Sequence, residues 1–226
     1  MVEMLRNPLI QGFTTNPTLM RKAGITDYAA FAREVLTEIR NHPISFEVFA
    51  DEFDEMERQA LEIASWGDNV FVKIPVTNTR REPALDLISR LSREGVQLNV
   101  TALLALGQVR DVCSVLRKDV PAYVSVFAGR VADTGCDPVP LMTAALEYLE
   151  GHSKTELIWA SPRELLNIFQ ADAIGCHVIT VTNDILKKLS LVGKDLHDYS
   201  LETVSMFYED AKSSGFSLEV PVQATR

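Results

Sequence analysis

A chain of 226 residues, 46% hydrophobic and 23% charged, has the composition of a soluble folded domain with a substantial core, and no apolar run in it is long enough to span a bilayer. Its formal net charge of -9 argues against a protein that coats nucleic-acid phosphates, which takes clustered Lys and Arg, yet leaves room for a small phosphorylated ligand. Cys113, Cys136 and Cys176 are odd in number and lack CxxC spacing, so neither a disulfide framework nor a zinc site is expected, and a reducing, cytoplasmic setting fits.

In chain order, the opening residues MVEMLRNPLIQGF lack the basic and apolar regions of a secretory signal. Seven short β-branched runs follow, at residues 9–16 (LIQGFTTN), 44–50 (ISFEVFA), 70–76 (VFVKIPV), 96–103 (VQLNVTAL), 123–129 (YVSVFAG), 156–161 (ELIWAS) and 177–182 (HVITVT). Segments of helical periodicity separate them, among them EFDEMERQALEIASW and PALDLISRLSREG. Thr26 or Asp27 is placed to cap a helix over 31–39, Asp51 to cap the helix carrying Met56, and Asn183 or Asp184 to start the ILKKL turn. Gly95 is placed as a helix C-cap. No linker or low-complexity tract divides the chain, so one domain over residues 1–226 is expected.

Alternating strands and helices build a parallel sheet. An open doubly wound sheet would carry a glycine-rich phosphate loop after its first strand, and no loop here does, so a TIM-type (β/α)8 barrel is favoured, with seven of its strands visible and the first missing. In such a barrel the inward residues at the C-terminal strand ends form the site. Six of the seven runs put a polar group there: Asn16, Glu47, Lys73, the pair Asn99 and Thr101, Ser125, and Ser161.

Lys73 stands out because VFVKIPV is otherwise apolar, and a strand buried on both faces rarely holds a cation. Burial disfavours the charged form and supplies the free amine that attacks a carbonyl to form a Schiff base. The alternative is a lysine that snorkels to solvent or pairs structurally with Glu47. Glu47, facing inward with Ser45 and Phe49, has the chemistry to handle protons as a carbinolamine forms and dehydrates. Asn99 and Thr101 suit sugar hydroxyls or a water. Arg130 in SVFAGR, with Ser161 and Arg163 in ASPREL, makes an anion site if Pro162 opens a helix there; otherwise the arginines are solvated surface cations. His42, His152, His177 and His197 have no ligand spacing, and no metal is implied.

Taken in order, GFTTNPTL, FVKIPVT, LNVTALL, SVFAGR and ASPREL resemble the motifs of the transaldolase family, which includes the short fructose-6-phosphate aldolases, across nearly the whole chain. The resemblance implies that Lys73 attacks a ketose phosphate, Glu47 and Thr101 position the catalytic water, and Asn16 and Asn99 contact the dihydroxyacetone moiety. It implies that Ser125 helps to hold that moiety and that Arg130, Ser161 and Arg163 bind phosphate. No cofactor is implied, and a homo-oligomer is. Glu47 and Phe127, the latter at the substrate, resemble the transferase members, where the aldolases tend to carry Gln and Tyr. The expected activity is therefore transfer of a dihydroxyacetone unit between sugar phosphates, ahead of simple aldol cleavage. The family's first strand ends in an aspartate that serves at the C4 hydroxyl, and the eleven residues before Gly12 hold neither; Glu3 falls in the expected remnant of the first helix. The expectation is a chain that starts at an internal methionine of a longer protein, the alternative being a barrel that binds sugar phosphate without cleaving it. The C-terminal helix LETVSMFYEDAKSSGF carries Leu201, Val204, Met206 and Phe207, suited to a barrel end or a neighbouring subunit.

Overall fold

A computed structural model describes residues 2–218, which divide into two compact units between Ile185 and Leu186. The first begins with a 3-10 turn at Val2–Arg6, followed by β1 (Phe13–Thr14), α1 (Pro17–Lys22), α2 (Tyr28–Glu38) and β2 (Ile44–Glu47). Then come α3 (Phe53–Ala64), β3 (Val70–Pro75), α4 (Leu85–Arg93), β4 (Leu98–Leu103), α5 (Leu106–Val115) and β5 (Ala122–Val126). The remainder is α6 (Ala128–Asp133), α7 (Pro138–Leu149), β6 (Thr155–Trp159), α8 (Leu166–Ala173), β7 (Val178–Ile179) and the short α9 (Asn183–Lys187), which crosses the division.

The seven strands form one parallel sheet in sequence order from β1 to β7. Its form is a curled half-barrel of the TIM type, as the alternation of strands and helices predicted. The pleat explains its polarity. Phe46, Val72, Ile74, Val100, Val124 and Trp159 alternate onto the outer face and are fully buried. They join one core with Met56, Ala60 and Ile63 of α3, Leu87, Ile88 and Leu91 of α4, and Val109 and Val112 of α5. These helical spacings of three and four put each set on a single stripe. The inner face receives the intervening residues, Ser45 and Glu47, Phe71 and Lys73, Asn99 and Thr101, Tyr123 and Ser125.

Where local signals compete, the boundaries move. Asp27 caps α2 through the Ala30 amide, so that helix starts at Tyr28 instead of residue 31. Asp51 does not cap α3; its carboxylate accepts from the Thr79 amide and hydroxyl across the β3–α4 loop, leaving Glu52 at the cap position without a side-chain bond. Gly95, at φ +84, closes α4 as expected. Helix α8 starts at Leu166, four residues beyond Pro162, so the proline does not open it. In β4 the register with β5 shifts between Val100 and Leu103, and Ala102 takes φ 64, a bulge at the strand's C-terminal end.

The second unit holds a 3-10 turn at Lys188–Leu191 and α10 (Leu196–Ser213), capped by Asp195 through the amides of His197 and Asp198. Lys194 pairs with Glu202 and lies over the Tyr199 ring. Leu201, Val204, Met206 and Phe207 are exposed on α10.

Candidate active site

The register of the parallel sheet sets Glu47 beside Lys73 and Lys73 beside Asn99 on successive strands. All three point inward because each sits an even number of residues from its strand's other inward positions. Lys73 is 8% exposed, and its Nζ donates to Glu47 Oε2 at 2.8 Å and to the main-chain carbonyl of Thr15 at 3.0 Å. A buried ammonium is costly unless paired; here one carboxylate and one carbonyl do the pairing.

A second chain of bonds runs across the same face. Asn99 Nδ2 donates to Ser45 Oγ at 2.9 Å, and Ser125 Oγ donates to Asn99 Oδ1 at 2.6 Å. The Asn99 amide is thereby fixed in orientation from both sides, by Ser125 of the adjacent β5 and by Ser45 of β2, reached across β3. Thr101, next inward on β4, keeps its Oγ1 buried with no hydrogen-bond partner among the described residues. Buried hydroxyls nearly always have a partner, so this one, two residues beyond Asn99, is a free valence in the site.

Phe49 lies past the end of β2 and is 54% exposed. Its ring is edge-on to Tyr28 at 4.7 Å, so it does not line the inner face as the alternation of residues 45, 47 and 49 suggested. Asn16 spends its Oδ1 as the N-cap of α1, accepting from the Leu19 amide at 2.9 Å. A cavity of about 240 Å³ between β1, α1 and Phe31 lies beside this cap, and Lys73 does not line it.

The two arginine-bearing segments meet each other. The Gly129 amide donates to the Ala160 carbonyl at 3.3 Å, and Ser161 takes φ 62 as the chain turns away. Arg130 stacks over Phe127, its guanidinium carbon 5.3 Å from the ring centre. Arg163 is bound in a fork by Asp133 of α6. The amides of Arg163 and Glu164 both donate to Asn167 Oδ1, at 2.8 and 3.1 Å, so they are already satisfied. Among the described residues no hydrogen bond or ion pair joins this group to the Lys73 cluster.

Sequence reasoning did not find Thr15, Tyr28, Asp133 or Asn167. The Thr15 contact is through a main-chain carbonyl, which leaves no trace in residue type. Tyr28 falls on the apolar stripe of α2 with Phe31, Ala32 and Val35, where an aromatic reads as core. Asn167 carries the one local signal, an amide four residues after an arginine in a turn.

The whole of this constellation lies within a region, residues 1–221, that matches the model of the transaldolase/fructose-6-phosphate aldolase family. The chain belongs to that family. It is 34% identical over 210 residues to a probable transaldolase of Dehalococcoides mccartyi, covering 92% of this chain and 91% of that one. A probable transaldolase of a Thermoanaerobacter species is 32% identical over 211 residues, with 93% and 91% covered. One from Thermoplasma volcanium is 33% identical over 207 residues, with 90% and 86% covered. The TTNP, VKIP and NVT segments that carry Asn16, Lys73, Asn99 and Thr101 fall inside the matched region.

Proposed function

We propose that the protein transfers a dihydroxyacetone unit between sugar phosphates through a Schiff base on Lys73. The observation that carries this reading is the Lys73–Glu47 pair at 2.8 Å, set on the polar inner face of the sheet with the Thr101 hydroxyl, which has no partner among the described residues. Glu47 takes a proton from the Lys73 ammonium along the existing hydrogen bond, and the free amine adds to the keto carbon of the substrate. Protonated Glu47 then returns the proton, through a water held by Thr101, to the departing hydroxyl of the carbinolamine. The resulting iminium is the electron sink for cleavage between C3 and C4. Glu47, a carboxylate again once the water has left, takes the C4 hydroxyl proton through a water and returns it to the new alkoxide when the acceptor is attacked. The three-carbon enamine remains on Lys73, and attack on an aldose phosphate followed by hydrolysis releases the new ketose.

Asn99, oriented by Ser45 and Ser125, presents its amide to the hydroxyls of the retained unit, and Asn16, the N-cap of α1, contacts the same unit. Arg130, Ser161 and Arg163 hold the phosphate, and for Arg163 the phosphate replaces Asp133 in the guanidinium fork. Phe127 lines the same end and keeps Arg130 in place through its ring. The resemblance of Glu47 and Phe127 to the transferase members of the family supports transfer over aldol cleavage.

Borohydride trapping with fructose 6-phosphate tests the reading. Mass spectrometry is expected to find the adduct on Lys73 and to find none in Lys73→Met; an unmodified Lys73 peptide from the natural chain would sink it. With erythrose 4-phosphate present, sedoheptulose 7-phosphate is the expected product. Free dihydroxyacetone as the sole product would replace transfer by aldol cleavage.

A further inference from the structure

The main-chain ladder between β1 and β2 breaks at the level of the Lys73 amine. Phe13 N donates to the Pro43 carbonyl at 2.8 Å and Thr15 N to the Ser45 carbonyl at 3.0 Å. In a continuing parallel ladder the next bond would run from Glu47 N to the Thr15 carbonyl. It does not. Glu47 N donates instead to the Tyr28 hydroxyl at 2.9 Å, and the Thr15 carbonyl accepts the Lys73 ammonium at 3.0 Å. On the opposite edge of β2 the ladder is intact, with Val48 N bonded to the Lys73 carbonyl at 3.2 Å.

Proton directions in this cluster are determined. Thr15 Oγ1 donates to the Ser45 carbonyl at 2.9 Å, so its contact with the Tyr28 hydroxyl, also 2.9 Å, has Tyr28 as the donor. Tyr28 OH therefore accepts from Glu47 N and donates to Thr15 Oγ1, using both capacities of a phenol. Burial pushes the phenol above its ordinary value of 10.0, which keeps the proton in place. The ring is seated by edge contacts to Phe46 at 5.9 Å and Phe49 at 4.7 Å.

We propose that Tyr28 is a positioning residue for Lys73: by occupying the Glu47 amide it withholds that amide from Thr15 and leaves the Thr15 carbonyl to hold the Lys73 amine against Glu47. The inference deepens the Schiff-base reading and rests on Lys73 being its nucleophile. Removing the hydroxyl leaves the Glu47 amide without its partner, and the nearest ladder acceptor is the Thr15 carbonyl. Lys73 then shares the Thr15 carbonyl with that amide, which weakens and displaces its bond there, and keeps Glu47, the charged side chain paired with it among the described residues. A weakened acceptor disfavours the ammonium relative to the free amine.

Two readouts on Tyr28→Phe, which keeps the ring, decide the matter. The first is the NMR titration of the Lys73 ε-carbon, whose midpoint is expected to fall by about half a pH unit or more, with the melting temperature nearly unchanged. The second is the pH profile of borohydride trapping with fructose 6-phosphate, whose rising limb is expected to move to lower pH while the maximal rate falls about threefold to tenfold. Thr15→Val, which removes the acceptor of the Tyr28 proton, is expected to move the midpoint in the same direction, and Thr15→Ser to leave it in place. An unmoved Lys73 midpoint in both Tyr28→Phe and Thr15→Val overturns the proposal, as does movement that occurs only together with general unfolding. If the natural chain traps nothing, the Schiff-base reading falls on its own account, and the NMR midpoint still decides the role of Tyr28.

Discussion

Gly129 stands so close to Ser161 that a methyl group in place of its hydrogen would lie 1.6 Å from the Ser161 carbonyl oxygen and 2.7 Å from the carbonyl carbon. The obstacle is backbone, which cannot rotate aside. This crossing brings the SVFAGR and ASPREL segments together, so the two halves of the proposed phosphate site are joined by a glycine. Gly129→Ala is expected to lower stability by about 3 kcal/mol or more. Urea denaturation measures it, and a loss below about 1 kcal/mol would mean that the crossing relaxes freely. In whatever fraction stays folded, fructose 6-phosphate affinity should fall as well, because both segments must move.

Arg81 adopts φ 65 in the β3–α4 loop, the left-handed region that costs an L-residue roughly 1–2 kcal/mol. It is exposed, and its neighbour Arg80 does the pairing, to Glu52 at 2.6 and 3.0 Å and to Glu82. Arg81→Gly relieves the strain and gives some of it back as unfolded-chain entropy. The expected result is a gain of about 0.5–1 kcal/mol, a rise in melting temperature of roughly 1–4 °C for a chain of this size. A fall in melting temperature would show that the Arg81 side chain stabilises the loop.

The same loop is fastened by Asp51. Hydrogen bonds from the Thr79 hydroxyl, first, and the Thr79 amide hold its carboxyl below the ordinary 3.8, with Arg80 nearby adding to the effect. A depressed carboxylate stabilises the folded state above its unfolded value, and that stability is lost as pH falls through the folded value. The loop anchor should therefore be complete above about pH 5 and give way below 3.8. Hydrogen exchange at the Thr79 amide checks it. Protection that persists unchanged well below the ordinary Asp range in Asp51→Asn and natural chain alike would contradict the assignment.

Burial pushes the thiols of Cys113 and Cys176 up to about 11, whereas Cys136 is exposed. Since the thiolate is the nucleophile, iodoacetamide at pH 8 should label Cys136 first and the other two more slowly by about two orders of magnitude. Peptide mapping against time reads this directly. Equal rates for all three would indicate local opening around β6 and α5.

Much of the site could be read from the sequence because strand alternation is a local property. A residue's face on a pleated strand is fixed by its distance along the chain, so Glu47, Lys73, Asn99, Thr101 and Ser125 could be assigned to one face of the sheet before any contact was known. The same rule failed at Phe49, where the strand had already ended and the pleat no longer applied. It also gave too long a first strand, because the polar side of β1 continues into a hydrogen-bond arrangement of a different kind.

What the sequence determined by itself was the family, the parallel sheet, the inward polar face and the presence of a lysine with no reason to be buried in a merely structural strand. What only the tertiary structure decided was partnership. Lys73 meets Glu47 across 26 positions and the Thr15 carbonyl across 58, and Arg163 meets Asp133 across 30. Pairing across such separations depends on strand register and helix placement, which arise from burial of the whole core. A side chain's identity states what it can bond to, and only the fold states which partner reaches it first.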